Sequence, residues 1–100
     1  MIEDDEIKTA RAFLCRCHRT SREAMSSTVL MGIIARWAGA YCSNASVIDA
    51  AISLGFAVAP CRAPSNVAMI GIAKRDVEAI RAAVTKREVE ALRAALTSAA

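Results

Sequence analysis

Apolar positions in the first half of the chain recur every three or four residues, which is the spacing of amphipathic helices. The first such pattern predicts a helix over about residues 4–18, capped by Asp4 or Asp5. Its apolar positions are Ile7, Ala10, Phe13, Leu14 and Cys17. Beyond it, Thr20 and Glu23 have the spacing of a capping box. The serines and threonine at residues 26–28 offer a further helix start.

Two more helices are predicted before Gly55. The face of the first is the most hydrophobic in the chain and comprises Val29, Leu30, Ile33, Ile34, Trp37, Ala38 and Tyr41. Ser43 and Asn44 end that region and cap the next helix, over about residues 45–54. Its inward positions are predicted to be Val47, Ile48, Ala51 and Ile52, with Leu54 as a further candidate. Gly55 then suits a left-handed helix end.

After Gly55 the pattern changes to short runs of branched residues. Residues 56–60 and 67–73 predict the two strands of a β-hairpin, with a cluster of turn-forming residues at 61–66 between them. Pro60 is expected on a sheet edge or at a strand end, because proline cannot donate a hydrogen bond to a neighbouring strand.

The last quarter of the chain contains a twelve-residue repeat. Residues 74–84 match residues 86–96 at every position, by identity or conservative replacement. A twelve-residue offset turns a helix by about 120° beyond whole turns, so one continuous helix would carry two apolar stripes on different sides. The stripes are Val77, Ile80 and Val84, and then Val89, Leu92 and Leu96. A capping box beginning at Thr85 instead favours a kink or a restart there.

Composition indicates one small domain with a light core. Hydrophobic residues form 55% of the 100-residue chain but aromatic residues only 4%, and 22 alanines account for the difference. Alanine allows helices to approach closely but supplies little buried area. The large side chains expected in the core are Phe13, Leu14, Leu30, Ile33, Ile34, Trp37, Ile48, Ile52, Phe56 and Ile70. So modest a core favours a dimer over a lone monomer.

The charge pattern suggests a cytoplasmic protein. The chain opens with acidic residues where a secretory signal would be basic and then apolar, and its apolar runs are too short to cross a bilayer. Four cysteines are therefore expected to be reduced. The net charge of +3 is mild, and the basic stretch of residues 8–22 reads either as the solvated flank of a helix or as a surface for phosphates.

The sequence predicts neither a metal-binding site nor a catalytic nucleophile. Cys15, Cys17 and His18 are the only clustered soft ligands, and two thiols separated by one residue point to different sides of a helix. The single histidine lies in a basic stretch with no residue to orient it toward a thiol. The sequence also contains no phosphate-binding or nucleotide-binding signature. We expect no enzyme activity and no cofactor.

Residues 34–40 and 43–48 resemble a helix-turn-helix, with Ala35, Gly39 and Val47 or Ile48 in its small, turn and branched positions. The order helix, helix, helix, strand, strand resembles the winged helix-turn-helix DNA-binding domain. The resemblance implies a mainly α fold with a small β-hairpin: a winged-helix-like core over residues 1–73, with its helix-turn-helix at about 31–54 and its hairpin at 56–73. Residues 74–100 would pack on this core, dimerise, or do both. The second helix departs from the pattern, since residues 44–54 contain no lysine or arginine and include Asp49.

The leading hypothesis is a small dimeric DNA-binding transcriptional regulator that contacts double-stranded DNA. The candidate DNA contacts are Arg36, Ser43, Asn44, Ser46, Arg62, Ser65, Asn66 and Lys74. The candidate homodimer interface is Val89, Leu92 and Leu96. The alternative is a protein–protein adaptor or inhibitor on the same helical scaffold, without nucleic-acid binding. A continuous positive face over residues 43–46 and Arg62 would favour DNA, whereas a neutral apolar face would favour protein.

Overall fold

The computed structural model describes residues 2–60 and 67–99, with the side chains of residues 5–60 and 67–98. These residues form a mainly helical fold with a small antiparallel sheet and a C-terminal helix, as predicted. The elements are α1 (Ile2–Leu14), β1 (Met25–Ser26), α2 (Ser27–Ala38), α3 (Asn44–Ser53), β2 (Val58–Pro60), β3 (Ala68–Ile70) and α4 (Lys74–Ala99). No helix in the described ranges is long and apolar enough to cross a membrane.

The sheet has the strand order β1-β3-β2, with both pairings antiparallel. β2 and β3 form the predicted hairpin pair, although each strand spans only three residues. Pro60 is the last residue of the edge strand β2, where a missing N–H costs no ladder bond. The two-residue strand β1 was not predicted; Met25 pairs with Ile70 and Ser26 with Met69.

Residues 18–20 run alongside the sheet instead of beginning a helix, so the predicted capping box at Thr20 is wrong. The Thr20 backbone N–H donates to the Gly71 carbonyl at 3.3 Å, and Arg19 forms a bridge with Ile72. The Thr20 hydroxyl accepts the N–H of Arg22, as in a local turn.

The later helix start at residues 26–28 is confirmed. Ser26 is the N-cap of α2, and its Oγ accepts the Val29 N–H at 3.2 Å. Gly39 ends α2 with a φ of 69°, the left-handed conformation that glycine adopts without strain. Ser43 then caps α3. The turn that joins α2 to α3 is therefore defined by residues 39–43.

The core lies between α1, α2, α3 and the inner face of the sheet. Its largest fully buried apolar side chains are Phe13, Leu14, Leu30, Ile34, Val47, Ile70, Ile72 and Val77. Trp37 is half-buried and meets Phe13 edge-to-face, with ring centroids 5.5 Å apart. The prediction of Ile52 as a core residue is wrong, since 58% of it is exposed. α3 packs against α1 and α2 through its other side, which contains Val47, Ala50 and Ala51.

The C-terminal repeat forms one unbroken helix of 26 residues, α4. The predicted kink or restart at Thr85 is absent from it, because strong helix formers surround the capping box and neither glycine nor proline interrupts them. The first stripe packs on the core: Val77 and Val84 are buried and Ile80 is half-buried. Every residue from 85 to 98 is exposed.

A pair of glycine substitutions, one just after β3 and one in α2, tests how closely the backbone is packed beside the sheet. At Gly71, an added Cβ would lie 2.3 Å from the Thr20 carbonyl oxygen, whereas Gly32 in α2 has no atom within 4 Å of that position. We expect Gly71→Ala to reduce the free energy of unfolding by about 2 kcal/mol or more. Gly32→Ala serves as the matched control and should raise it by about 0.5–1 kcal/mol through helix propensity. Urea denaturation measures both, and equal effects would contradict the packing described.

Candidate interaction surfaces

A carboxylate from α1 occupies the N-terminus of α3. Glu6 Oε1 accepts the backbone N–H of Ser43 at 2.7 Å and the hydroxyl of Ser46 at 3.2 Å. Ser43 Oγ in turn accepts the Ser46 N–H at 3.2 Å and lies 2.8 Å from Ser46 Oγ. Ser46 is only 3% exposed. The Ser43 and Ser46 groups at this helix end are thus engaged within the chain.

The hydrogen bonds to Glu6 also fix its charge. The Ser43 backbone N–H, followed by the Ser43 side chain, holds the pKa of Glu6 below its ordinary value. Glu6 is therefore ionised at neutral pH, and its negative charge lies at the positive end of the α3 dipole. A negative charge at this position would repel a DNA phosphate.

The outward face of α3 combines apolar side chains with one acidic residue, Asp49. Tyr41 is 73% and Ile52 58% exposed, and Ala45 and Asp49 lie between them on the same side. A shallow depression of about 460 Å³ at the N-terminal end of this face is lined by Tyr41, Ser43, Asn44, Ala45, Ile48 and Asp49. Asn44 is half-buried there. None of the described residues on this face is basic.

The other predicted DNA contacts lie apart from α3's outward face or outside the described residues. Arg36, in the last turn of α2, forms an ion pair with Glu88 of α4. Lys74 is exposed at the first residue of α4. Arg62, Ser65 and Asn66 lie outside the described residues. The structure therefore brings Ser43, Asn44 and Ser46 together but not into a basic surface.

The predicted dimer stripe is solvent-exposed on α4. Val89, Leu92 and Leu96 are 46%, 62% and 66% exposed. Upstream of this stripe, α4 is fixed to the core by Arg36–Glu88 and by Arg87, which donates to the Trp37 carbonyl at 3.3 Å. Beyond Glu88, the described part of α4 makes no ion pair and no side-chain hydrogen bond with the core.

Sequence reasoning missed the contact that holds the start of α4. Asp76 Oδ2 accepts the backbone N–H of His18 at 2.8 Å and lies 2.8 Å from its Nδ1. The backbone bond is the main cause of a lowered pKa for Asp76. These residues are separated by 58 positions, so no local pattern could have paired them. An acidic residue in the first turn of α4 was the one available signal.

The cysteines show no arrangement for catalysis among the described residues. Burial raises the pKa of Cys17 to about 11, and burial followed by the nearby Glu6 charge raises that of Cys42. Both thiols are therefore protonated and weakly nucleophilic at neutral pH. Cys15 is exposed. No three histidine, cysteine or acidic residues in the described part of the chain lie close enough to hold a metal ion.

Comparisons with protein-family models, curated proteins and solved structures found no match to this chain.

Removing the Glu6 carboxylate tests its role at α3. Because the folded-state pKa is lowered, its stabilisation is present above the unfolded-state pKa and is lost as pH falls through the folded-state value. We expect Glu6→Gln to unfold at lower urea concentration than the native chain at pH 7, with the gap closing at acidic pH. Asp5→Asn is the control, since Asp5 is exposed on the same turn. A gap independent of pH would contradict this account.

Proposed function

We propose that this chain is a homodimeric protein–protein interaction module, in which α4 joins two copies and α3 presents a protein-binding face. The observation that carries the proposal is the solvent exposure of the second half of α4. Residues 85–98 are helical and all exposed, yet they carry an apolar stripe at helical spacing. A helical segment of this length gains little stability from propensity alone, so tertiary or intermolecular packing normally supports it.

A second copy of α4 suits the stripe in shape. Val89, Leu92 and Leu96 follow a 3,4 spacing, which places them on one side of the helix. By the same geometry, Arg93 flanks one edge of the stripe, and Glu88, which is ion-paired with Arg36, flanks the other. Two copies related by a twofold axis can therefore bury the two stripes against each other.

The expected affinity is modest. Burying these three side chains on both copies contributes on the order of 5–10 kcal/mol, given their partial exposure. Association itself costs roughly 4–15 kcal/mol in lost freedom. The two terms are of similar size, so we expect a reversible, concentration-dependent dimer.

The surface of the core supports a protein partner more than a nucleic acid. The outward face of α3 combines Tyr41 and Ile52 with the acidic residue Asp49, and Glu6 occupies the helix N-terminus. DNA contacts require cations for phosphates and arginine, lysine, asparagine or glutamine for base edges. An apolar face edged with negative charge suits a partner whose surface is apolar and basic.

The dimer is tested by placing one charge on either side of α4. Leu92→Glu puts a carboxylate within the stripe, whereas Ala94→Glu puts it on the opposite side of the same turns. Light scattering should give twice the 10.6 kDa chain mass for the native chain and for Ala94→Glu at high concentration. Leu92→Glu should remain monomeric at least tenfold above the native dissociation constant. A native chain that is monomeric at millimolar concentration would refute the dimer.

A second candidate function is DNA binding by the same dimer. The order of the helices and of the hairpin strands supports it, because it agrees with the winged-helix resemblance. Basic residues at the hairpin connection and at the start of α4, among them Arg62 and Lys74, would then contact phosphates. Readout by α3 would rest on Asn44 and on apolar contacts, because its outward face contains no cation.

A mobility-shift assay separates the two functions. The interaction-module proposal expects no complex with a 30-base-pair duplex at low salt. DNA binding expects a complex whose log affinity falls linearly with log salt, by about 0.9 per phosphate contacted. In that case Arg62→Ala should weaken binding about equally across sequences. Arg81→Ala, which removes a charge outside the predicted DNA contacts, should have little effect.

A further inference from the structure

A groove lies where α4 crosses the ends of α1 and α2. It is open to solvent, with a volume of about 410 Å³, and its described lining includes Arg16, Trp37 and Arg87 around an aliphatic floor from α4. The floor includes Ala79, Ile80 and Ala83, and the two alanines leave the space that larger residues would fill. No acidic side chain is among the described residues that line this groove.

Both arginines are held in place by backbone carbonyls, Arg16 by one in the last turn of α1 and Arg87 by one in the last turn of α2. The Arg16 guanidinium donates to the Ala12 carbonyl, and its central carbon lies 5.1 Å from the centre of the Trp37 ring. Arg87 donates to the Trp37 carbonyl at 3.3 Å. A guanidinium has five N–H donors, so each arginine retains donors beyond the bond that positions it. The neighbouring carboxylate of Glu88 is ion-paired with Arg36.

We propose that this groove binds a small carboxylate with an apolar body. The carboxylate would accept hydrogen bonds from the guanidinium groups of Arg87 and Arg16, which match its planar geometry. The apolar body would cover Ala79, Ile80 and Ala83 beside the Trp37 ring. Ligand sites commonly combine such an apolar floor with a few fixed polar groups. The site is independent of the proposed dimer and of any DNA contact.

The position of the groove separates it from the surfaces described above. Its floor is formed by the side of α4 that faces the core, whereas the stripe of Val89, Leu92 and Leu96 lies on another side. α3 packs on α1 and α2 and contributes no described residue to the lining. A bound carboxylate would bridge the core and α4, and would therefore raise the thermal stability of the chain.

Trp37 provides the readout, because it is the only tryptophan in the chain. Octanoate, which does not absorb near 290 nm, is titrated while tryptophan emission and the melting temperature are recorded. We expect a saturable change in emission at about millimolar octanoate, with a rise in melting temperature. Octanamide has the same body without the charge and should bind at least tenfold more weakly. Inorganic phosphate has the charge without the body and should also fail to saturate the signal.

Three variants locate the site. Arg87→Gln removes a charged donor and should weaken octanoate binding at least tenfold. Ala83→Leu fills the floor without altering charge and should also weaken it at least tenfold, with circular dichroism confirming the fold. Arg93→Gln removes the same charge from an exposed position of the same helix and should leave affinity unchanged. No saturable change with octanoate, equal binding of octanamide, or undiminished binding by Ala83→Leu would each overturn the proposal.

Discussion

The fold depends on the backbone hydrogen bonds made by residues 68–73. This segment contains β3, which lies between β1 and β2 in the sheet. Its backbone also forms hydrogen bonds with the chain that follows α1 and with the chain that follows α3. Gly71 donates to the Ala57 carbonyl and accepts from Thr20, while the Ala73 N–H donates to the His18 carbonyl. A side chain at residue 71 would separate these backbones. The start of α4 is fixed at the same point, where Asp76 accepts the His18 N–H.

α4 extends beyond the core because the repeat turns its second apolar stripe to another side. The first stripe ends at the buried Val84, and the chain then continues as helix with no further buried residue in the described part. The alanine-rich composition affects both the core and the groove beside α4. It limits the core to a few large side chains, and it leaves the space over Ala79 and Ala83 from which the groove is formed. The shape of this half of the molecule follows from small residues as much as from large ones.

The side chains on the surface of α3, rather than the order of the elements, determine what this surface can bind. The winged-helix resemblance concerns the order of elements, whereas a scaffold acquires a function only through the residues at its sites. At α3 those residues are Glu6, Asp49, Ile52 and Tyr41, none of which attracts a phosphate. The chain has a net charge of +3, but the positive charge does not lie on this face. Basic residues such as Arg16 and Arg87 lie instead around the joint with α4.

The sequence by itself determined the elements whose signals are local. These were the amphipathic helices, the Ser26 and Ser43 caps, the hairpin pair and the two stripes of the repeat, because spacing and capping act within a few residues. Only the tertiary structure decided β1, which exists through pairing with β3, and the Glu6–Ser43 and His18–Asp76 contacts. It also left Ile52 exposed, whereas the continuity of α4 through Thr85 follows from local helix propensity. Contacts between distant residues depend on where the core places each helix, which no local pattern encodes.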